Sequence, residues 1–338
     1  MNIKELTPAD FKSDQMVRWC AGCGDFAILN SIQKALPQLG IKHEDFAFIS
    51  GIGCSSRFPY YMNTYGFHGI HGRAAAIASG VKVANPNLSV WVITGDGDSL
   101  AIGGNHFIHV VRRNIDINLV LFNNMIYGLT KGQYSPTTKP GTITKTSPMG
   151  TIERPFRPGA LAIGARGEFF ARSIDVMAKL STEIFLKAAA HKGTSVVEVL
   201  QNCVIFADGV WSEITNREYR DDRVILLEHG KPMIYGKNKD KGLMLQNNEM
   251  ITVEIGKDGI SEDDLLVHDA HNSLTGLHVM LTNMEYPKFP VALGVIRDYQ
   301  QRYTYDQELE MQIEEAKSKT KHKSMQDVLL SGAIWEVK

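Results

Sequence analysis

The sequence predicts an α/β fold in which a mostly parallel sheet carries helices on both faces and a C-terminal extension follows. Short continuous apolar runs alternate with amphipathic segments, which is the pattern of parallel strands buried on both faces. Glycine and polar residues follow directly after several of these runs. The chain has 338 residues, 43% of them hydrophobic and 22% charged, which is enough to bury a large core.

Composition excludes several classes of function. The formal net charge of −1 gives no sign of binding to nucleic acid or to a membrane surface. No apolar run approaches about 18 residues, and the N-terminus lacks the apolar core of a signal peptide, so we expect a cytoplasmic enzyme. Four cysteines in so long a chain argue against a disulfide framework and favour reactive or ligating thiols.

The central part of the chain predicts one β-α-β unit. Two apolar runs, residues 89–94 and 117–122, are predicted as buried strands, and residues 99–114 between them as a helix capped by Ser99. A right-handed crossover makes two such strands parallel, so that Asp96 and Asn124 emerge at the same carboxyl edge. Ligands of open α/β sheets bind at that edge.

The residues at this edge suit a magnesium-bound diphosphate. Mg²⁺ prefers oxygen ligands and commonly takes one carboxylate together with phosphate. Asp96 offers a carboxylate, Asn124 an amide oxygen and Ile126 a backbone carbonyl. A bare Gly-Asp-Gly is more often a tight turn after a strand, but here 25 residues separate Gly97 from Asn123. This spacing resembles the thiamine diphosphate motif.

A Cys-x-x-Cys pair, Cys20 and Cys23, precedes a predicted helix over residues 26–36. Such a pair can be a thioredoxin-like redox pair, half of a zinc site or part of an iron–sulfur site. A thioredoxin pair normally follows a strand, and none is predicted before Trp19. The redox-pair interpretation is therefore the least favoured.

The other two cysteines also follow predicted strands. Cys54 follows the strand at residues 45–53, and Cys203 follows the strand at residues 194–200. Four converging thiolates would form a tetrahedral sulfur site, and ligand type alone does not separate zinc from a 4Fe–4S cluster. One close pair joined by two distant cysteines is not the usual zinc-ribbon arrangement. A cluster beside the cofactor could also accept electrons one at a time.

The remaining elements are predicted from shorter patterns. His71 and Arg73 precede a predicted helix at residues 74–84, where they could hold diphosphate oxygens or simply form a capped turn. We divide the chain into a cofactor-binding domain, residues 1–230, and a C-terminal extension, residues 231–338. Further predicted elements are helices at residues 173–191, 274–284 and 300–323, a hairpin or covering arm within residues 230–262, and a strand at residues 291–296.

These motifs together resemble the β subunit of 2-oxoacid:ferredoxin oxidoreductases over residues 10–210, most of all the 2-oxoglutarate type. The resemblance rests on Cys20-x-x-Cys23, Gly51-Ile-Gly-Cys54-Ser55, His71-Gly72-Arg73, Gly95-Asp-Gly-Asp98, Asn123-Asn124 and Tyr127-Gly-Leu-Thr-Lys131-Gly-Gln133. It implies a thiamine-diphosphate-binding fold and CoA-dependent oxidative decarboxylation of a 2-oxo acid, with electrons passing through a 4Fe–4S cluster to ferredoxin. It also implies an α subunit that supplies the glutamate needed to activate the cofactor.

The resemblance assigns roles residue by residue. The cluster ligands would be Cys20, Cys23, Cys54 and Cys203. The Mg²⁺ ligands would be Asp96, Asn124 and the carbonyl of Ile126, and Lys131 would bind the far carboxylate of 2-oxoglutarate. The cofactor contacts would be Ile52, Gly53, Cys54, Ser55, His71, Gly97, Asp98, Gly128 and Leu129.

Two alternatives remain at this stage. A non-redox thiamine diphosphate decarboxylase or carboligase subunit would share the diphosphate motif but would have no need of four converging cysteines. A non-catalytic binding module could retain the fold without turnover. The metal content and visible spectrum of anaerobically purified protein would separate these possibilities.

Overall fold

The computed structural model describes residues 6–300, 302–320 and 324–337. Parallel strands dominate it, and three short antiparallel strands form a separate ribbon. The strands are β1 (Phe46–Ser50), β2 (Tyr65–His68), β3 (Ser89–Gly95), β4 (Ile117–Asn123), β5 (Ile126–Tyr127), β6 (Gln133–Tyr134), β7 (Phe169–Ile174), β8 (Ser195–Leu200), β9 (Val224–Leu227), β10 (Ile234–Tyr235), β11 (Lys241–Gln246), β12 (Glu249–Glu254) and β13 (Val291–Asp298).

The helices lie between these strands and after them. Short 3₁₀ segments add to them at Pro8–Phe11, Leu36–Leu39, His43–Asp45, Ser55–Tyr61 and Glu262–Asp264. The α-helices are α1 (Asp25–Ala35), α2 (Ala74–Ala84), α3 (Asp96–Leu100), α4 (Gly104–Arg113), α5 (Pro158–Gly164), α6 (Ala178–Ala190), α7 (Ser212–Thr215), α8 (Arg220–Arg223), α9 (Gly276–Thr282), α10 (Tyr305–Lys319) and α11 (Met325–Leu329).

Eight strands form the main sheet in the order β2-β1-β3-β4-β8-β7-β13-β9. All neighbouring pairs are parallel except β7 and β13, which are antiparallel. Strands β10, β11 and β12 form the antiparallel ribbon. The predicted mostly parallel α/β sheet is therefore confirmed.

The continuous apolar runs are explained by burial on both faces of the sheet. In β3, Val90 and Val92 pack into one core cluster, and Trp91 and Ile93 pack into the other. Successive side chains of a strand point to opposite faces, so a strand covered on both sides needs apolar residues throughout. The helices α2, α4, α5 and α9 cover the first face, and α1 and α6 cover the second.

Several predicted boundaries are wrong. The helix predicted at residues 173–191 begins only at Ala178, because residues 173 and 174 belong to strand β7. The helix predicted at residues 99–114 is two helices, α3 and α4, interrupted at residues 101–103. Strand β2 was not predicted, since it is an exposed edge strand without an apolar run.

The C-terminal part of the chain contributes to the main sheet. Strand β13 lies between β7 and β9, while the predicted hairpin within residues 230–262 is the pair β11–β12. The division at residue 230 stays a prediction. The helix predicted at residues 300–323 is α10; residues 301 and 321–323 of that prediction lie outside the described residues. No helix in the described ranges is long and apolar enough to cross a membrane.

The end of β1 approaches α3 very closely. Gly51 follows β1 directly, and the Ile52 N–H donates to Asp98 Oδ1 over 3.0 Å. A Cβ at residue 51 would lie only 2.0 Å from Asp98 Oδ2. No side chain fits at this position without displacing the Asp98 carboxylate.

We expect Gly51→Ala to destabilise the protein by about 1–3 kcal/mol, the usual penalty for overpacking a filled site. Gly80→Ala is the matched control, since a Cβ there meets nothing within 4 Å and lies on helix α2. That control should be neutral or stabilising by up to about 1 kcal/mol, the helix propensity of alanine over glycine. Urea unfolding followed by tryptophan fluorescence measures both. Equal midpoints for the two variants would contradict the close approach.

Candidate cofactor and metal site

The carboxyl ends of strands β1, β3 and β4 open into one cavity of about 190 Å³. Parallel neighbours bring the loops that follow them to the same edge of the sheet. All nine predicted cofactor contacts and all three predicted Mg²⁺ ligands line this cavity: Ile52, Gly53, Cys54, Ser55, His71, Asp96, Gly97, Asp98, Asn124, Ile126, Gly128 and Leu129. The structure therefore brings together residues that lie up to 77 positions apart in the sequence.

Asp98 holds the loops of this cavity together. Its Oδ1 accepts hydrogen bonds from His71 Nδ1 and from the Gly72 N–H, each at 2.7 Å, in addition to the Ile52 N–H. Its Oδ2 accepts one from Thr94 Oγ1 at 2.7 Å, and the residue is only 2% exposed. Asp98 lines the cavity, but its oxygens are engaged within the protein and orient His71.

Asp96 is a buried carboxylate at the start of α3. Its Oδ2 lies 2.5 Å from Ser135 Oγ and 2.5 Å from Thr137 Oγ1. Burial raises the pKa of Asp96 to about 6, although the hydrogen bonds from Ser135 and Thr137 act in the opposite direction. Two hydroxyl donors to one oxygen favour the ionised form, in which the carboxylate can hold a cation. Sequence reasoning missed both hydroxyl residues, which lie in a loop about 40 positions later.

The predicted Mg²⁺ ligands Asn124 and Ile126 flank a strained turn. Met125 between them has a φ of 57°, in the left-handed region. Asn124 Nδ2 donates to Gln201 Oε1 over 2.9 Å, so its amide oxygen faces the turn and accepts the Ile126 N–H at 3.1 Å. Gln201 directly follows β8. This position after a predicted strand was the one sequence signal that Gln201 could orient the Asn124 amide.

A second cavity, of about 300 Å³, adjoins the first. All four cysteines line it: Cys20, Cys23, Cys54 and Cys203. Cys54, Gly128 and Leu129 line both cavities and form the wall between them. A Cβ at Gly128 would lie 3.5 Å from Cys203 Sγ and 3.7 Å from Cys54 Sγ, so this part of the chain lies in van der Waals range of both thiols.

Burial is the largest cause of the raised pKa values of Cys23 and Cys54. It raises the pKa of Cys23 far above its usual value and that of Cys54 to about 12, and the nearby charge of Asp25 raises both further. Burial therefore favours the protonated form of Cys23 and Cys54, and a metal bound there would have to displace these protons. Gln201 Nε2 donates to Cys23 Sγ over 3.4 Å, and Trp19 Nε1 donates to the Cys54 carbonyl over 2.7 Å.

The cysteine spacing bears on the choice of metal. Four sulfurs around one zinc ion, each at about 2.3 Å, would lie about 3.8 Å from one another. Within residues 6–300, 302–320 and 324–337, no three or more histidine, cysteine, aspartate or glutamate side chains are grouped so that they could hold a metal ion. At this position the structure shows a cavity that all four cysteines line.

For two further residues, Lys131 and Asp25, the structure differs from the site that the sequence predicted. Lys131 lines the cysteine cavity rather than the cofactor cavity, and it is exposed. Asp25, which sequence reasoning missed, lines both cavities and is 1% exposed. Burial and the charge of Asp175 raise the pKa of Asp25 to about 7. Its place directly after the Cys-x-x-Cys segment was the only sequence signal for it.

Comparison with known proteins agrees with this geometry. Residues 51–199 match the family described as thiamine pyrophosphate enzyme, C-terminal TPP binding domain. All residues that line the cofactor cavity, except Asp25, fall within the matched residues.

Named relatives and one solved structure cover more of the chain. The 2-oxoglutarate oxidoreductase subunit KorB of Mycobacterium tuberculosis is 47% identical over 91% of this chain and 82% of its own length. A 2-oxoacid:ferredoxin oxidoreductase subunit beta of Aeropyrum pernix is 42% identical over 65% of this chain and 69% of its own. A structure described as 2-oxoglutarate:ferredoxin oxidoreductase from Magnetococcus marinus, with 2-oxoglutarate, coenzyme A and succinyl-CoA bound, matches with a TM-score of 0.78 at 32% identity, covering 98% of both chains.

The 2-oxoacid:ferredoxin oxidoreductase family, which the sequence motifs resemble, accounts for the diphosphate motif, for the parallel sheet and for a cavity lined with cysteines beside the cofactor cavity. The non-redox alternative accounts only for the first two. The chain therefore belongs to the β subunits of the 2-oxoacid:ferredoxin oxidoreductases.

Proposed function

We propose that this β subunit takes part in the oxidative decarboxylation of 2-oxoglutarate. The balanced reaction converts 2-oxoglutarate and CoA into succinyl-CoA, CO₂ and one proton, and its two electrons leave singly on two ferredoxins. The names of the relatives and the ligands of the similar structure support this substrate. The observation that carries the proposal is the shared wall between the cofactor cavity and the cysteine cavity, since electrons must cross from one to the other.

Thiamine diphosphate and Mg²⁺ are the cofactors that suit the first cavity. When bound, thiamine diphosphate acts as the electron sink for decarboxylation of a 2-oxo acid. Asp96 would supply the negative charge for Mg²⁺, with the Asn124 amide oxygen and the Ile126 carbonyl as neutral ligands. The ionised, buried carboxylate and the fixed Asn124 amide support these roles. His71, oriented by Asp98, would face the diphosphate.

A 4Fe–4S cluster suits the second cavity. Its ligands would be Cys20, Cys23, Cys54 and Cys203, which all line that cavity. One close Cys-x-x-Cys pair joined by two distant cysteines is not the usual zinc-ribbon arrangement, which supports a cluster over zinc. Because Cys54 also lines the cofactor cavity, a cluster held there would lie next to the cofactor and could take its electrons one at a time.

A partner subunit would complete the site. Among the described residues that line the cofactor cavity the carboxylates are all aspartates: Asp25, Asp96 and Asp98. The glutamate that activates the aminopyrimidine of thiamine diphosphate would therefore come from the α subunit, as the resemblance implies. The β-subunit names of the relatives support a multi-subunit enzyme.

An acidic electron carrier such as ferredoxin suits the surface beside the cysteines. Three cationic side chains, Arg18, Arg57 and Lys131, line the cysteine cavity, and none of them forms an ion pair within the described part of the chain. Exposed Ile205 and Phe206 lie on the same cavity. An apolar patch with unpaired positive charges is typical of a docking surface for a negatively charged partner.

Anaerobically purified protein should be brown and should hold about four iron atoms per chain, because four thiolates ligate one cluster. Cys203→Ser should lower the iron content, although Cys203 lies 149 positions beyond Cys54. Iron analysis and the visible spectrum before and after reduction measure both. Stoichiometric zinc without iron would overturn the cluster and favour the non-redox alternative.

Asp96→Ala should abolish Mg²⁺-dependent retention of thiamine diphosphate and leave the iron content largely unchanged. A methyl group cannot replace the only carboxylate at a hard cation. Asp263→Ala, an exposed aspartate in the segment Glu262–Asp264, is the control. Calorimetric titration with the cofactor compares the two, and wild-type affinity in Asp96→Ala would show that the Mg²⁺ site lies elsewhere.

Lys131→Ala should lower kcat/KM for 2-oxoglutarate by about ten- to a hundredfold, the loss of one charge-assisted hydrogen bond. Pyruvate, which lacks a second carboxylate, should be affected much less. The assay uses the αβ enzyme with a viologen dye as acceptor, and Lys179→Ala, 92% exposed on α6, is the control. Because Lys131 lines the cysteine cavity, an equal loss on both substrates would assign it to that cavity instead.

A further inference from the structure

A buried polar network lies behind the turn that carries the predicted Mg²⁺ ligands. Glu198 on β8 is 2% exposed and accepts a hydrogen bond from Asn123 Nδ2 over 2.7 Å. Its second oxygen accepts one from Arg172 Nε on β7, also over 2.7 Å. Arg172 is 6% exposed and also donates to the Thr282 carbonyl over 3.1 Å. The carboxylate is thus almost fully buried beside a cavity of about 80 Å³, and both of its oxygens have donors.

The carboxylate determines which way the Asn123 amide points. An ionised glutamate only accepts hydrogen bonds, so Asn123 must direct its NH₂ group towards Glu198. The amide oxygen of Asn123 then faces the opposite way, where the Met125 N–H lies 3.3 Å from it and Thr137 Oγ1 lies 2.9 Å from it. An amide turned by 180° would present a donor to both groups.

Both of those groups lie next to predicted Mg²⁺ ligands. Met125 has the left-handed φ of 57° between Asn124 and Ile126, a conformation that a non-glycine residue keeps only where its surroundings hold it. Thr137 Oγ1 is also 2.5 Å from Asp96 Oδ2. The orientation of the Asn123 amide therefore holds the turn that presents two of the predicted ligands, because only the amide oxygen can accept the Met125 N–H.

We infer that Glu198 is a positioning residue for the Mg²⁺ site and acts through the orientation of the Asn123 amide. It lines no part of the cofactor cavity and so does not itself touch the cofactor. The inference rests on the proposed function, since it requires that Asp96, Asn124 and Ile126 hold Mg²⁺ and thiamine diphosphate.

Glu198→Gln tests the role of the acceptor-only group. A glutamine that offers its oxygen to Arg172 must point its NH₂ group at the NH₂ group of Asn123, and this conflict turns the Asn123 amide over. The Met125 N–H then loses its acceptor. We expect the Mg²⁺-dependent affinity for thiamine diphosphate to fall by about ten- to a hundredfold, as for other residues that orient metal ligands. The iron content should not change.

The chain offers a closely matched control at the opposite end of β7. Glu168 directly precedes β7, is 4% exposed and accepts hydrogen bonds from Arg302 Nε at 2.7 Å and from Asn114 Nδ2 at 3.5 Å. It repeats the Arg–Glu–Asn chemistry away from the turn. Glu168→Gln should affect thermal stability in the same way and leave cofactor affinity within about twofold, because its asparagine contacts no Mg²⁺ ligand.

A second substitution can restore the hydrogen-bond pattern. In Glu198→Gln combined with Asn123→Asp, the glutamine NH₂ donates to the new carboxylate, whose other oxygen accepts the Met125 N–H. The double variant should bind thiamine diphosphate more tightly than either single variant. A merely structural role for Glu198 would not produce this reversal. Where Glu198→Gln does not fold, the comparison of Asn123→Asp with the double variant tests the same point.

The measurement is calorimetric titration of the αβ complex with thiamine diphosphate at several Mg²⁺ concentrations. Weak binding in Glu198→Gln, normal binding in Glu168→Gln and recovery in the double variant support the inference. Equal binding by the two single glutamine variants, or no recovery, overturns it. A wild-type complex without Mg²⁺-dependent binding would instead overturn the proposed cofactor site, so the two failures are distinguishable.

Discussion

The hydrogen bonds of the Asp98 carboxylate connect the segments that form the cofactor cavity. One carboxylate, at the start of the region after β3, holds the turn after β1 and the ring of His71 before α2. Because it is buried, these bonds are not weakened by competing water. The absence of a side chain at Gly51 is what leaves room for the carboxylate. The rest of the cavity depends on this connection, since its walls come from three separate loops.

The wall shared by the two cavities places the proposed cofactor site directly beside the proposed cluster site. Cys54 follows the turn that Asp98 holds, and Gly128 lies against the thiols of Cys54 and Cys203. The proposed cofactor and cluster sites therefore depend on the same backbone segments, and a change that moves either loop affects both.

Two buried glutamates of this protein each lie in a hydrogen-bonded network with an arginine and an asparagine. Glu198 accepts from Arg172 and Asn123 near the site, and Glu168 accepts from Arg302 and Asn114 at the opposite end of the sheet. Breaking a buried pair leaves an uncompensated charge, so both networks constrain the chain around them. Only the Glu198 network borders the turn at Met125. We therefore infer a role at the site for the Glu198 network and a structural role for the Glu168 network.

The sequence by itself determined the strands at the centre of the sheet, because β1, β3, β4 and β8 are mostly apolar and burial on both faces favours this pattern. It also identified the motif residues, because each of these motifs follows a predicted strand and parallel strands end at the same edge of the sheet. Only the tertiary structure decided which groups surround them. No local sequence pattern predicts the contacts of the hydroxyls at residues 135 and 137, of Asp25 or of the Arg172–Glu198–Asn123 network. Glu198, for example, contacts Asn123 from 75 positions away. Polar contacts between distant strands depend on the register of the folded sheet, which no short stretch of sequence encodes.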